Sequence, residues 1–325
     1  MNFQTLSRIE KPSLYIDTAI KEALKSAASR RSGASIRIKG NKKNKSATIE
    51  EKKVIVFYKI LSAKLELIEK SFPSIDTLPI FYQELIEVTI SKDRLKKSLS
   101  SISWIRSKTN DFFKIALNKI KKAKYILEIN KARKEFFGRT NSLLERREAD
   151  FTFLEESRKK MRDFPSIKEN MITVCLCGYP NVGKSTLLSK ITTARPEINI
   201  YPFTTKGLMM GYIENKIQVI DAPGTFGAEY LKMNYIEKKS YLAIKHLADL
   251  LVFVLDITES CGYEVELQET LLKQIKELFK HKKIVIYLSK SDMISKEQLT
   301  EFKNKTKNFE VISDFENLKL LILHL

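Results

Sequence analysis

The sequence is short of cysteine, glycine and acid, and each shortage excludes something. Three cysteines in 325 residues cannot staple a disulfide scaffold. Two of them, Cys175 and Cys177, are spaced C-x-C inside an apolar run with no second Cys or His pair beside them. That pattern reads as small buried hydrophobes rather than zinc ligands, and it implies a reducing, intracellular compartment. The opening segment MNFQTLSRIEKP has no apolar core, so it is not read as a signal peptide. The longest apolar runs, 247–255 and 318–325, are too short to span a bilayer. Only Gly33, Gly40 and Gly138 fall in the first 170 residues, so that half has few places to turn sharply. There is a single tryptophan, Trp104, expected in a helix and in its core.

Acid is the most informative shortage. Asp and Glu number 39 against 58 Lys and Arg, a net charge of +19. A genome rich in lysine codons would spread that surplus evenly. Instead residues 1–170 hold 38 basic and 21 acidic side chains, and residues 171–325 hold 20 and 18. A net of +17 sits in one half and +2 in the other, which points to a polyanion partner for the first half, nucleic acid ahead of a membrane.

With 43% hydrophobic residues the chain has enough apolar mass for two domains. The first half reads as helical. A short helix is expected over Asp17–Arg30, followed by a basic loop from Arg31 to Lys45. A helix capped by Ser46 then carries Val54, Phe57, Tyr58, Leu61, Leu65 and Ile68 at spacings of three and four. Further helices are expected over Thr77–Ile90, Asp93–Lys124 and Glu128–Met161, giving a bundle of three or four antiparallel helices. The boundaries are a basic segment 1–45, a helical bundle 46–168 and an α/β domain 169–325. In the last, apolar strands at Met171–Cys177, Ile217–Ile220, Leu250–Asp256, Ile284–Leu288 and Glu310–Ile312 alternate with helical stretches at Ser185–Thr193, Tyr235–Ala248, Glu264–Phe279 and Lys296–Lys305. That alternation predicts a doubly wound, mostly parallel sheet, with ligands at the carboxyl ends of the strands.

The chemistry-bearing motifs fall at those ends. Gly178-Tyr179-Pro180-Asn181-Val182-Gly183-Lys184-Ser185 is a G-x-x-x-x-G-K-S loop between a strand and a helix. Its backbone N–H groups and the helix N-terminus suit phosphate, Lys184 suits the β- and γ-phosphates, and the Ser185 hydroxyl suits Mg2+. Asp221-Ala222-Pro223-Gly224 follows the next strand as a D-x-x-G switch, Asp221 serving the metal and the Gly224 N–H the γ-phosphate. Between them, Tyr201–Thr205 carries hydroxyls that can close on the metal. Ser289-Lys290-Ser291-Asp292 ends the strand Ile284–Leu288. A carboxylate there can accept two hydrogen bonds from guanine N1 and N2, which adenine cannot supply. The usual pattern begins with Asn, so Ser289 is expected to lower guanine affinity.

Taken in order, GYPNVGKST, YPFTTKG, IDAPG and SKSD resemble the Obg-related translational GTPases. FPSIDTLPIFYQELIEVTI, the FPSI before the second domain, and AIKHLADLLVFVLDITESCGY narrow the resemblance to the Nog family, the nucleolar GTP-binding proteins and their archaeal relatives. The resemblance covers nearly the whole chain. It implies an all-α bundle preceding a P-loop GTPase domain, GTP hydrolysis to GDP, and action on the precursor of the large ribosomal subunit through ribosomal RNA. It implies that Gly178 to Ser185 and Thr186 bind phosphates, that Ser185 and Thr205 ligate Mg2+ with Asp221 in support, and that Lys290 and Asp292 read the base. Ser313 and Asp314 stand where the family's last base-contacting loop usually has Ser-Ala. Eukaryotic members carry a long C-terminal extension; a chain ending at Leu325 is expected to be archaeal-type and cytoplasmic, a monomer when free, with ribosomal proteins or other assembly factors as further partners.

No glutamine follows the switch glycine, where Thr225 and Phe226 stand, so slow turnover is expected. In related G-x-x-N-x-G-K-S GTPases the Asn helps hold K+, a role that would fall to Asn181. Arg30, Arg31, Arg37, Lys39, Lys42, Lys43 and Lys45 form the basic segment expected to grip RNA phosphates. A second reading stays open: a structural RNA-binding helical protein whose G domain binds nucleotide but no longer switches. A third, a GTPase acting at a membrane, has only the positive charge behind it.

Overall fold

The computed structural model describes residues 3–28, 41–164, 171–192, 197–198, 209–214, 216–221 and 235–325. The helices are α1 (Pro12–Ala28), α2 (Lys42–Ser71), α3 (Ile80–Thr89), α4 (Lys92–Lys122), α5 (Ile126–Glu145), α6 (Glu148–Arg162), α7 (Lys184–Ile191), α8 (Tyr235–Leu247), α9 (Val265–Leu278), α10 (Lys296–Lys305) and α11 (Phe315–Leu323). The strands are β1 (Ile172–Cys177), β2 (Glu197–Ile198), β3 (Met209–Ile213), β4 (Ile217–Asp221), β5 (Leu250–Leu255), β6 (Lys283–Leu288) and β7 (Glu310–Ile312). They group into two compact units. One holds residues 2–77 and 90–162; the other holds 78–89 and 163–325.

The first unit contains α1, α2, α4, α5 and α6, while α3, the helix expected over Thr77–Ile90, groups with the second unit. The long helix expected over Glu128–Met161 is two, because the chain turns at Arg146-Arg147 between α5 and α6. Its core is the stripe read from α2: Val54, Phe57, Leu61, Leu65 and Ile68 are all buried. The Phe57 ring meets Phe137 at 4.3 Å, stacked, and Phe136 at 5.3 Å, edge-on. Burying each such side chain contributes about 1.5–3 kcal/mol. Polar contacts fix the helices' rotation. Asp150 of α6 accepts from Ser98 (3.1 Å) and Ser101 (2.6 Å) of α4. Buried Glu50 lies between Lys53 and Arg133.

Two expectations are corrected here. α2 starts at Lys42, not Ser46, because the Asn41 side chain caps it by accepting from the Asn44 N–H at 2.9 Å. Lys42, Lys43 and Lys45 therefore belong to the first turns of a helix and not to a loop. Trp104 is 43% exposed and not in the core. The Arg147 guanidinium lies 5.2 Å from its ring, and a cation over an indole face is compatible with water on the other side.

The second unit is a sheet of seven described strands in the order β2-β3-β4-β1-β5-β6-β7. β4, β1, β5, β6 and β7 run parallel, as the alternation of strands and helices predicts, and at one edge β3 is antiparallel to both its neighbours, β4 and β2. β1 and β5 are the middle of the sheet and almost wholly buried. Cys175 and Cys177 sit there as hydrophobes; burial pushes the Cys177 thiol up to about 12 and that of Cys175 higher still. Gly211 of β3 has a reason to be glycine: a Cβ there would lie 2.4 Å from the Thr192 methyl. α3 packs on α8 within this unit, Glu84 bonding Lys245 (3.1 Å) and His246 (3.0 Å). No helix among the described residues is long and apolar enough to cross a membrane.

Candidate functional site

Gly178 leaves β1 at φ +139°, where a Cβ would lie 2.3 Å from the Val254 carbonyl oxygen, so only glycine fits. Asn181 (φ 62°) and Gly183 (φ 97°) also take left-handed conformations, and the loop curls back so that Gly183 caps α7. Fully buried Val182 anchors the loop in the core below it, and the Tyr179 ring lies 4.3 Å from that of Tyr263. Lys184 is 9% exposed, and its ammonium donates to the carbonyls of Gly178 (2.9 Å) and Tyr179 (2.6 Å). A positive charge is thereby held over the loop where phosphate oxygens are expected. Asp221 ends β4, directly beside β1, and its Oδ2 accepts from the Ser185 hydroxyl at 2.7 Å. A hydroxyl and a carboxylate at that distance offer oxygen ligation of the kind Mg2+ prefers. Pro180 and Thr186 are exposed at the loop and at the first turn of α7.

A second group assembles at the ends of β5 and β6. Ser289 is buried, its N–H and hydroxyl both donating to the Leu255 carbonyl (2.9 and 3.3 Å). A Cβ on Gly183 would lie 3.6 Å from the Ser289 Cβ, so Ser289 backs directly onto the phosphate loop. Lys290 is left-handed (φ 53°), and its ammonium donates to Asp256 Oδ2 and Ser260 Oγ, both at 2.7 Å. Asp292 is exposed on the short turn of 3₁₀ helix Ser291–Met293. Asp314 has another job: its Oδ2 accepts from the Asn317 N–H at 3.0 Å and caps α11, with Ser313 half-buried before it. Thr205, Ala222, Gly224, Thr225, Arg30, Arg31, Arg37 and Lys39 lie outside the described residues.

Sequence reasoning missed Asp256. It directly follows β5, is fully buried, and accepts from five donors: Lys290, the Thr258 N–H (3.0 Å) and hydroxyl (2.6 Å), the Cys261 N–H (2.9 Å) and the Ser260 hydroxyl (3.2 Å). Burial alone would raise its pKa; the bonds from Lys290 and Thr258 outweigh it and hold the carboxyl below the ordinary value. Gln268 of α9 closes the turn, exchanging bonds with both backbone groups of Asp256 at 2.9 Å. A strand-ending Asp followed two residues later by Thr is a recognisable turn signal.

Comparison with known proteins agrees with this arrangement. The family model described as NOG1 N-terminal helical domain matches residues 6–168, half of the chain. The model described as 50S ribosome-binding GTPase matches residues 173–290. An uncharacterized protein of Methanocaldococcus jannaschii is 40% identical over 78% of this chain and 72% of its own length. The nucleolar GTP-binding protein 1 of Arabidopsis thaliana is 35% identical over 81% of this chain, and that of Saccharomyces cerevisiae 33% over 73%. The chain spans only 40% and 37% of those two proteins. A helical-domain match over half of the chain, followed by a GTPase match over the domain that carries the loop 178–185, settles the family: the chain belongs to the family of nucleolar GTP-binding protein 1 and its archaeal relatives, and its second domain is a GTP-binding domain of the GTPase class.

Proposed function

We propose that the chain hydrolyses GTP and acts as a nucleotide-controlled, RNA-binding assembly factor for the large ribosomal subunit. The observation that carries the enzymatic part is the Ser185–Asp221 hydrogen bond beside the buried Lys184. Phosphoryl transfer needs little covalent chemistry from the protein; it needs positioning and charge stabilisation. The loop 178–183 orients the phosphates, and the Lys184 ammonium leaves the Gly178 and Tyr179 carbonyls to meet the developing charge. Ser185 and Asp221, with Thr205, would hold Mg2+, which would supply positive charge against the phosphates. Gly224 would hold the γ-phosphate. Asp292 would accept the two guanine N–H groups, and Lys290 would flank the base. Asn181, raised on the left-handed shoulder of the loop, would support K+ as a second source of positive charge.

The RNA part rests on the charge of residues 1–170 and on the basic segment Arg30–Lys45. Its setting would be the cytoplasm, with precursor ribosomal particles as the partner. The second reading is a nucleotide-binding domain that does not switch. It draws on Ser289, whose hydroxyl is spent on Leu255, and on Asp314, whose carboxylate caps α11. Single-turnover GTP hydrolysis separates the two. Slow hydrolysis, faster in K+ than in Na+ and lowered roughly a hundredfold by Lys184→Ala, supports the first. Equal rates for wild type and Lys184→Ala refute it.

A further inference from the structure

The turn joining α4 to α5 is the most unusual piece of surface among the described residues. Tyr125 is 68% exposed and Leu127 79%, while neighbouring Ala123 and Ile129 are buried. Around them stand Lys121, Lys122, Lys124, Lys131 and Lys134, all exposed, and none makes an ion pair among the described residues. The acids nearby are already engaged. Glu128 accepts the backbone N–H groups of Lys124 (2.7 Å) and Tyr125 (3.2 Å), and Glu135 pairs with Lys119 at 2.7 Å. Lysines in the last turn of α4 complement the helix dipole, but that reason does not extend to Lys124, Lys131 and Lys134. Nor does it explain an aromatic ring held out in water. The two backbone bonds donated to Glu128 pin the turn, so the ring is presented from a fixed base. Beside it an open cleft of about 330 Å³ runs between α4 and α5, lined in part by Lys119, Lys122 and Lys131.

Unpaired lysines around a fixed, exposed aromatic ring match the chemistry of an unpaired nucleotide in a folded RNA. The ammonium groups neutralise phosphates without reading sequence, and the ring gives a base a face on which to stack. We infer that the α4–α5 turn is an RNA-binding surface in addition to the basic segment Arg30–Lys45, on which Tyr125 stacks an unpaired base while the surrounding lysines hold its flanking phosphates. This inference rests on the RNA-binding reading proposed above and adds a named surface and a contact mode to it.

The test uses the full chain and two fluorescein-labelled RNA probes: a hairpin with an unpaired purine loop, and the same stem closed as a perfect duplex. Anisotropy titrations are run across a salt series. The wild type is expected to prefer the loop. Tyr125→Ala should weaken loop binding by about fivefold or more, with little change on the duplex and an unchanged salt slope, and Tyr125→Phe should keep the affinity. Replacing the five lysines by glutamine should flatten the salt slope, each lost single-strand phosphate contact removing about 0.7. Both sets of changes are at exposed positions, and circular dichroism checks that the variants fold. Unchanged loop affinity in Tyr125→Ala together with an unchanged slope in the lysine variant overturns the inference while leaving RNA binding itself intact. Absence of RNA binding by the wild type overturns both. Loss of binding to large ribosomal subunits without any change on the RNA probes assigns the turn to a protein partner and also overturns it.

Discussion

The buried Asp256 carboxylate holds Lys290, the lysine proposed to flank the base. Asp256→Ala removes the acceptor of five hydrogen bonds from a fully buried position. The Thr258 and Ser260 hydroxyls lie 2.9 Å apart and can still satisfy one another. The Lys290 side chain is 27% exposed, so its ammonium can turn to water and is not left unsatisfied. The Cys261 N–H is buried and has no such escape, which costs about 1–3 kcal/mol, and the half-buried Thr258 N–H adds about 1 kcal/mol. The expected loss of stability is therefore about 2–4 kcal/mol, with roughly a tenfold loss of GDP affinity from the freed Lys290. Urea denaturation and titration with a fluorescent GDP analogue measure both. The decisive comparison is the double-mutant cycle with Lys290→Ala. If Asp256 acts on nucleotide through Lys290, the two losses of affinity overlap, and the cycle shows a coupling of at least about 1 kcal/mol. Losses that add to within about 0.5 kcal/mol refute the reasoning. The pH dependence follows the same logic. A carboxyl held below its ordinary value of 3.8 contributes stability above that pH and loses it as pH falls through the lower folded value. The gap between wild type and Asp256→Ala should hold near neutrality and narrow only below about pH 4.

Gly178→Ala puts a Cβ 2.3 Å from the Val254 carbonyl at a φ that L-residues rarely adopt. It should cost about 2–4 kcal/mol and abolish nucleotide binding, read by thermal melts with and without GDP. Phe57→Ala empties a fully buried site between Phe136 and Phe137 and should cost about 3–5 kcal/mol in urea denaturation, with GDP affinity unchanged because the bundle is a separate unit. Glu84 is buried enough for desolvation to raise its pKa, but His246 and Lys245 outweigh that and hold it below the ordinary 4.5. Glu84→Gln should therefore lower stability only above that pH, by under about 1 kcal/mol because the pair is partly exposed, as pH-dependent melts will show.

Motifs that depend on backbone conformation were legible in the sequence. Gly178 and Gly183 announce the loop, Lys184 and Ser185 follow it, and the strand-end Asp221 falls on Ser185 as the order of motifs required. The parallel strands were legible too, because β1, β4, β5 and β6 are buried apolar runs. The β2–β3 edge was not: Met209–Ile213 is short, contains Gly211, and has no alternation to separate it from a loop. The turn at Arg146-Arg147 carries neither glycine nor proline, so no breaker marks it. The helix Ile80–Thr89 was legible as a helix, but its place on α8 depends on tertiary contacts such as Glu84 with Lys245, which periodicity does not encode. Asp256 was overlooked for a similar reason. Its partners Thr258, Cys261, Gln268 and Lys290 are brought together by two strands and a helix, and only Thr258 is close enough in sequence to give a signal.

The central claim is that a GTP-timed domain controls an RNA-gripping one. Co-sedimentation of the full chain with large ribosomal subunits, in the presence of GDP or a non-hydrolysable GTP analogue, tests it most directly. Tighter association in one nucleotide state than in the other, lost in Lys184→Ala, is the result expected. Equal association with both nucleotides, or none with either, would contradict the account.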